Sequence, residues 1–157
     1  MIMRLRLKED PPTITAQQKG ETIAYKWLNR RRVPYIKHFE KYEVTAVRNY
    51  YKALVLTDLR CQKSKIPRFV GAVSLKVVFI FKARRKKDIG KPKPTKPDCD
   101  NMNKLLQDVF DEMGFFEVGD QQVTHLEVDK IYAEQPGIYI EIKQQEESEA
   151  LNDIFTV

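Results

Sequence analysis

Cysteine and histidine are scarce in this 157-residue chain, with two of each. Cys61 and Cys99 stand 38 positions apart and form no CxxC pair. That usage favours a reduced, cytoplasmic setting, with a single disulfide as the alternative. His38 and His125 have no metal-ligand spacing and read as ordinary surface or strand residues. Long apolar runs are missing too. The longest, Val77–Phe81, falls far short of the roughly 20 residues a membrane-spanning helix needs. The opening MIMRLRLKED alternates apolar and basic residues, so it lacks the apolar segment of a secretory signal. Neither membrane insertion nor secretion is expected.

Apolar content and charge are both plentiful. At 42% hydrophobic and 32% charged, the chain is not a disordered tract. Its length suits one domain that buries roughly 68–70% of its unfolded surface. The net charge of +6 conceals a partition. Residues 1–96 carry 25 basic and 7 acidic side chains, whereas residues 97–157 carry 3 basic and 15 acidic. Such asymmetry points to a polyanionic partner without specifying any chemistry.

Period-2 alternation at Met3, Leu5 and Leu7 marks a half-buried strand ended by Pro11-Pro12. After Pro34, residues Phe39, Tyr42, Ala46, Tyr50, Ala53 and Leu54 recur at helical steps and predict an amphipathic helix. Residues 60–71 read as a basic connector. Val73–Phe81 predicts a strand in the sheet centre. Lys82–Lys96 holds eight basic residues, two prolines and a glycine, and is expected to be an extended loop too charged to pack. Asn101–Gly114 is the clearest helix, with Met102, Leu105, Leu106, Val109, Phe110 and Met113 on one stripe and Gly114 at its stop. Val123–Tyr132 and Ile138–Ile142 complete the pattern as strands. The predicted fold is therefore α+β, a single domain in β-α-β-α-β-β order with helices packed on a mixed sheet. Residues 1–143 form the domain, and the acidic tail 144–157 is expected to be mobile.

Chemistry concentrates at KPDCDNMNK, Lys96 to Lys104. In an extended segment Asp98 and Asp100, two apart, face the same side. Asp100 is also a good N-cap for the helix that follows. Lys104, Asn101 and Asp108 fall on the helix face away from the apolar stripe. An isolated Asp-x-Asp before a helix is commonly one N-cap beside a solvated neighbour. Two converging carboxylates repel, however, and a hard cation such as Mg²⁺ or Mn²⁺ reverses that penalty. Asp120, just before the Val123 strand, is a third acid able to join the pair if that strand lies beside Val73–Phe81.

These residues resemble the RusA family of Holliday junction resolvases. The resemblance rests on Lys96-Pro97-Asp98-x-Asp100-Asn101-x-x-Lys104, on Asp120-x-Gln122, and on Pro136-Gly137 before the last strand. The segment Pro11-Pro12-Thr13-x-Thr15-x-Gln17 is similar to the Pro-Pro stretch after the family's first strand, in the version common in bacteriophages and prophages. Gly119 departs from the pattern, because many members carry an acid there; Thr15 stands where others often have Asn.

The resemblance implies an endodeoxyribonuclease that cuts four-way DNA junctions as a homodimer. It assigns Asp98, Asp100 and Asp120 to catalytic Mg²⁺, Lys104 to catalysis and Lys96 to DNA contact. Beside such a site the basic loop residues Arg84, Arg85, Lys86, Lys87, Lys91 and Lys93 are candidates for tracking phosphates. Arg30, Arg31 and Arg32, with Lys26, make a second candidate patch. Lys104 has an alternative as the i,i+4 ion partner of Asp100 or Asp108. Phe69, Phe115 and Phe116 are assigned to core packing, with interface or DNA stacking as the alternative. Two rival functions stay open: a junction-binding accessory protein without nuclease activity, and a nucleotide-sugar transferase using Asp-x-Asp.

Overall fold

The computed structural model describes residues 1–14 and 19–146. Six strands and two helices follow in the order β1 (Ile2–Leu7), β2 (Lys19–Leu28), β3 (Arg31–Glu40), α1 (Tyr42–Cys61), β4 (Val73–Lys82), α2 (Cys99–Glu112), β5 (Val123–Ala133) and β6 (Gly137–Gln144). The fold is α+β with a mixed sheet, as the sequence predicts. A four-stranded sheet has the order β1-β6-β4-β5, and β2-β3 form a separate two-stranded sheet. The central position expected for Val73–Phe81 holds: β4 pairs antiparallel with β6 and parallel with β5.

The sheet has one greasy face. Leu5, Leu7, Val73, Leu75, Val77, Phe79, Ile138, Ile140 and Ile142 are buried at alternate positions. They join one core with Val44, Tyr51, Val55 and Leu59 of α1 and the Met102–Phe110 stripe of α2. Across the other face runs a row of alternating charge. Arg4 lies opposite Glu141, which lies opposite Lys76, which lies opposite Glu127. The Arg4–Glu141 and Lys76–Glu127 contacts are both 2.5 Å. On this exposed face solvent and salt screen both pairs, so they contribute little to stability.

Helix α2 stops as its sequence predicts. Gly114 takes φ +79°, its N–H donates to Asp111 O (2.9 Å), and the Phe115 N–H donates to Phe110 O (3.0 Å). This double bond satisfies the last carbonyls, and the Phe110 and Phe115 rings, 4.8 Å apart, supply the accompanying apolar contact. Phe69, Phe115 and Phe116 are all buried, so core packing is their role.

Three expectations need correction. The β2–β3 hairpin was not read from the sequence, and its turn explains why. Asn29 and Arg30 have φ of 47° and 64°, as a tight two-residue hairpin turn requires, but neither is glycine. Phe39 therefore belongs to β3, and α1 begins only at Tyr42. The buried face of α1 is Val44, Tyr51, Val55 and Leu59, while Tyr42 is 83% exposed and Ala46 is also on the solvent side. Finally, the basic segment after β4 does pack. Its backbone bonds the free edge of β5 through Gly90 N–H to Tyr132 O (2.8 Å), Tyr132 N–H to Lys91 O (2.9 Å) and Lys93 N–H to Lys130 O (2.8 Å). Covering an edge strand removes a ready site for non-native pairing.

Cys61 and Cys99 are free thiols. Among the described residues no helix is long and apolar enough to cross a membrane. Thr15, Gln17 and tail residues 147–157 lie outside the described residues, whereas Gln145 N–H donates to Ala72 O (2.9 Å).

Pro136-Gly137 has a packing cause. A Cβ on Gly137 would come within 2.9 Å of the Leu7 carbonyl oxygen of the paired strand. Gly137→Ala must push β1 and β6 apart and should cost about 1–3 kcal/mol of unfolding free energy in a denaturant titration. An unchanged midpoint would contradict this close approach.

Candidate active site on the β4–β5 connection

The parallel pairing of β4 and β5 requires a long connection from one sheet end back to the other. Residues 83–122 make it, and they include the basic loop, α2 and the approach to β5. Asp98, Asp100, Lys104 and Asp120 all lie on this single connection.

Helix α2 begins two residues earlier than the sequence pattern indicates. Asp98, not Asp100, occupies the N-cap with extended backbone (φ −77°, ψ 141°), and its carbonyl accepts the Met102 N–H at 3.1 Å. Its carboxylate makes no capping bond. Asp100 sits inside the first turn, where its charge complements the positive end of the helix dipole. The two acids are thus related by a cap-to-helix step and not by strand alternation. Asp98, Asp100 and Lys104 are exposed. Asn101, expected outside, is instead buried, as is Asn103. Asn103 Nδ2 donates to Gln107 Oε1 (3.0 Å), and its buried Oδ1 has no partner.

Asp120 opens a single 3₁₀ turn, Asp120–Gln122, which packs against α2 and leads directly into β5. Gln122 fixes that turn. Its Oε1 accepts the Val118 N–H (2.8 Å), and its Nε2 donates to Phe69 O (3.2 Å) and Gly71 O (2.6 Å). The glutamine of the Asp120-x-Gln122 motif is therefore a buried staple between the turn and the residues entering β4. Gly119 adopts φ +113°, a region that strains any side chain, and a Cβ there would meet Gln121 Oε1 at 3.1 Å. An acid at 119 would need a different backbone.

Paired and unpaired acids separate clearly. Arg85 holds Asp88 at 2.9 Å, and Arg48 of α1 bonds both Asp108 (3.1 Å) and Glu112. Among the described residues Asp98, Asp100 and Asp120 make no ion pair or hydrogen bond through their carboxylates. Lys104 makes no ion pair with Asp100 or Asp108, since Arg48 occupies Asp108. Oxygen donors free of protein cations suit a hard divalent metal. The residues therefore fit such an ion chemically. Among the described residues, however, no three acids are already gathered as a ready-made ligand cluster.

Asp108 reports the local field. Burial raises its pKa above the usual carboxylate range, Arg48 and Lys104 oppose the rise, and Asp120 and Glu112 add to it. Glu112 moves the other way, because the Lys52 hydrogen bond and then Arg48 outweigh its burial. Arg48 thus stabilises charge on both acids, with desolvation winning only at the more buried one.

The basic residues do not act alike. Arg84, Lys86, Lys87, Lys91 and Lys96 are exposed, and Arg85 is exposed but tied to Asp88. Lys93 is a structural staple: its Nζ lies 4.7 Å from the Phe81 ring centre and donates to Thr95 O (2.9 Å), Thr95 Oγ1 (2.8 Å) and Lys96 O. Lys130, not singled out by the sequence, donates to Thr95 O (2.8 Å) and Pro97 O. These two lysines tether the carbonyls immediately before Asp98. Between the loop and the strand ends lies a cavity of about 1080 Å³, walled by Phe81, Tyr132, Arg84, Lys91 and Lys96. The arginine triplet is elsewhere and divided. Arg30 forms the hairpin turn, and strand alternation sends Arg31 and Arg32 to opposite faces of β3.

Replacing Arg48 tests the field at α2. Arg48→Met removes the nearest cation, so the Asp108 pKa should rise further in a side-chain carboxyl ¹³C titration. Because folded Asp108 holds its proton more tightly than the unfolded chain does, the associated stability is present below the ordinary carboxylate range. It is lost as pH rises through the folded pKa. The variant should therefore be more destabilised at neutral pH than in acid. An unmoved Asp108 midpoint would contradict the assignment.

Residues 29–143 match the family described as Endodeoxyribonuclease RusA. No curated protein matches the chain. The family match covers β3 through β6, including the whole β4–β5 connection and its four candidate residues. The chain belongs to the RusA endodeoxyribonuclease family, nucleases that act on Holliday junctions.

Proposed function

We propose that this protein resolves four-way DNA junctions by paired, Mg²⁺-dependent nicks during recombination or repair in the cytoplasm, with Mn²⁺ able to substitute. The observation that carries the reading is the uncommitted state of Asp98, Asp100 and Asp120 on a connection where Asp88, Asp108, Glu112 and Glu117 are held by arginines and, of the remaining acids, Asp111 alone is also unpaired among the described residues. Asp98 and Asp100 offer oxygen ligands at the start of α2, and Asp120 offers a third from the turn packed on the same helix. A divalent cation bound there supplies an acidic water and polarises phosphoryl oxygens. Lys104, one turn into α2 and unpaired, neutralises developing charge on the phosphate. Gln122 and Lys130 set the backbone from which the acids project.

Arg84, Lys86, Lys87, Lys91 and Lys96 hold the DNA backbone beside the cavity, and contact of this kind follows shape and charge more than base identity. A junction presents two symmetry-related strands, so a two-fold homodimer bearing two identical sites matches the substrate. Residues 1–143 form the nuclease unit, and the acidic tail is a separate appendage.

A second reading, a junction-binding protein without nuclease activity, is favoured by the absence of three gathered acids among the described residues. A synthetic four-way junction separates the two. Wild-type protein should make paired nicks only with a divalent cation. Asp98→Asn and Asp100→Asn should each lower the cleavage rate by at least about a hundredfold, the scale of one lost transition-state contact, with junction affinity kept. Joint replacement of Arg84, Lys86, Lys87 and Lys91 by Gln should weaken binding and flatten its dependence on salt. Undiminished cutting by both aspartate variants would refute the site, and unchanged binding at every salt level would refute the loop's role.

A further inference from the structure

The β2–β3 hairpin presents an apolar face that nothing among the described residues covers. Residues directly opposite in the ladder point the same way, and Ile23 pairs with Ile36, Tyr25 with Pro34 and Trp27 with Arg32. One face therefore carries Ile23, Tyr25, Trp27, Pro34 and Ile36, with the Arg32 guanidinium 4.3 Å from the Tyr25 ring centre. These side chains are not tucked under the domain. Trp27 is 75% exposed, Ile23 66%, Ile36 61% and Tyr25 53%. The opposite face carries the exposed basic residues Lys26, Arg31 and Lys37 beside Leu28 and Tyr35, which are 55% and 42% exposed.

We propose that this apolar face is the two-fold contact between copies of the chain, seating one hairpin on the same hairpin of its partner. The inference rests on the homodimer reading above and gives it a surface. A solitary two-stranded hairpin is marginally stable in water, and ten residues of each strand are paired here. Its cover must therefore accompany the protein permanently, which a second copy does. The size is adequate. An aromatic side chain buries about 150–250 Å², and the isoleucines add comparable apolar area. Each copy thus offers on the order of 500 Å² and two copies about 1,000 Å², the threshold for a specific contact. The exposed apolar area is larger on this face, since the opposite one intersperses Leu28 and Tyr35 with Lys26, Arg31 and Lys37. Ile23, Tyr25 and Trp27 of β2 precede the family match at residues 29–143, whereas Pro34 and Ile36 of β3 lie within it.

Trp27 is the sole tryptophan in the chain, so its fluorescence reads the patch directly. The full-length protein without DNA should have twice the 18.5 kDa chain mass in light scattering. Its Trp27 emission should be blue-shifted and shielded from acrylamide, and dilution should reverse mass and emission together. Ile23→Glu, which keeps the probe, should raise the dimer dissociation constant about tenfold or more and expose Trp27. Thr22→Glu adds the same charge to the opposite face and should leave the dimer intact. A two-chain mass with Trp27 fully solvent-exposed would overturn this surface while preserving the homodimer reading. A one-chain mass at every concentration with junction cutting retained would overturn both. Shielding of Trp27 only when junction DNA is added would assign the face to DNA, and equal disruption by Thr22→Glu would remove its face specificity; either result overturns the proposal.

Discussion

Parallel pairing of β4 and β5 is the constraint on which the candidate site depends. Antiparallel strands can be joined by a tight turn, but parallel neighbours oblige the chain to travel the length of the sheet again. Here that return contains the basic loop, the N-terminus of α2 and the Asp120 turn. The fold thereby places the basic loop and the unpaired carboxylates proposed as ligands on one continuous stretch. Its two ends are anchored, because β4 and β5 are hydrogen-bonded along their whole length. Between them, backbone bonds to the β5 edge and the Lys93 and Lys130 tethers restrain the approach to Asp98.

Charge on this connection is sorted by commitment. Arg85 neutralises Asp88, and Arg48 with Lys52 neutralises the outer part of α2 at Asp108 and Glu112. The acids at the helix start and at the Asp120 turn keep their charge available. A surface with this pattern tolerates a polyanion nearby only if something offsets the unpaired carboxylates, which is the role a divalent cation fills. Under the proposed function, a cation held there would make the acidic half of the chain compatible with DNA.

Much of this was legible in the sequence. Period-2 alternation located β1 and the start of β4, apolar runs bounded by a Pro-Gly turn located β5 and β6, and the α2 stripe and its Gly114 stop appear as predicted. The failures share a cause: they concern residues whose partner lies outside local sequence. The hairpin carries apolar residues on both faces, neither packed on a core among the described residues, and its Asn29-Arg30 turn lacks the glycine that signals such turns. Tyr42 and Tyr50 look like core aromatics on α1, but Tyr42 lies in solvent and Tyr50 is partly exposed, while Val44 and Tyr51 are buried. The loop's prolines suggested an unpacked strap, although its remaining N–H groups bond β5. In the site, the acids and Lys104 were found from residue type and spacing. Lys130 and Gln122 hold carbonyls distant in sequence, so their positioning roles emerge only from the fold.

The central claim is that Asp98, Asp100 and Asp120 together hold one divalent site when the protein is on DNA. Side-chain carboxyl ¹³C shifts of the junction complex, followed through a Mg²⁺ titration, test it most directly. The account predicts that these three resonances move with a single apparent affinity while Asp88, locked to Arg85, stays still. Saturating Mg²⁺ that leaves Asp98, Asp100 and Asp120 unmoved would contradict it.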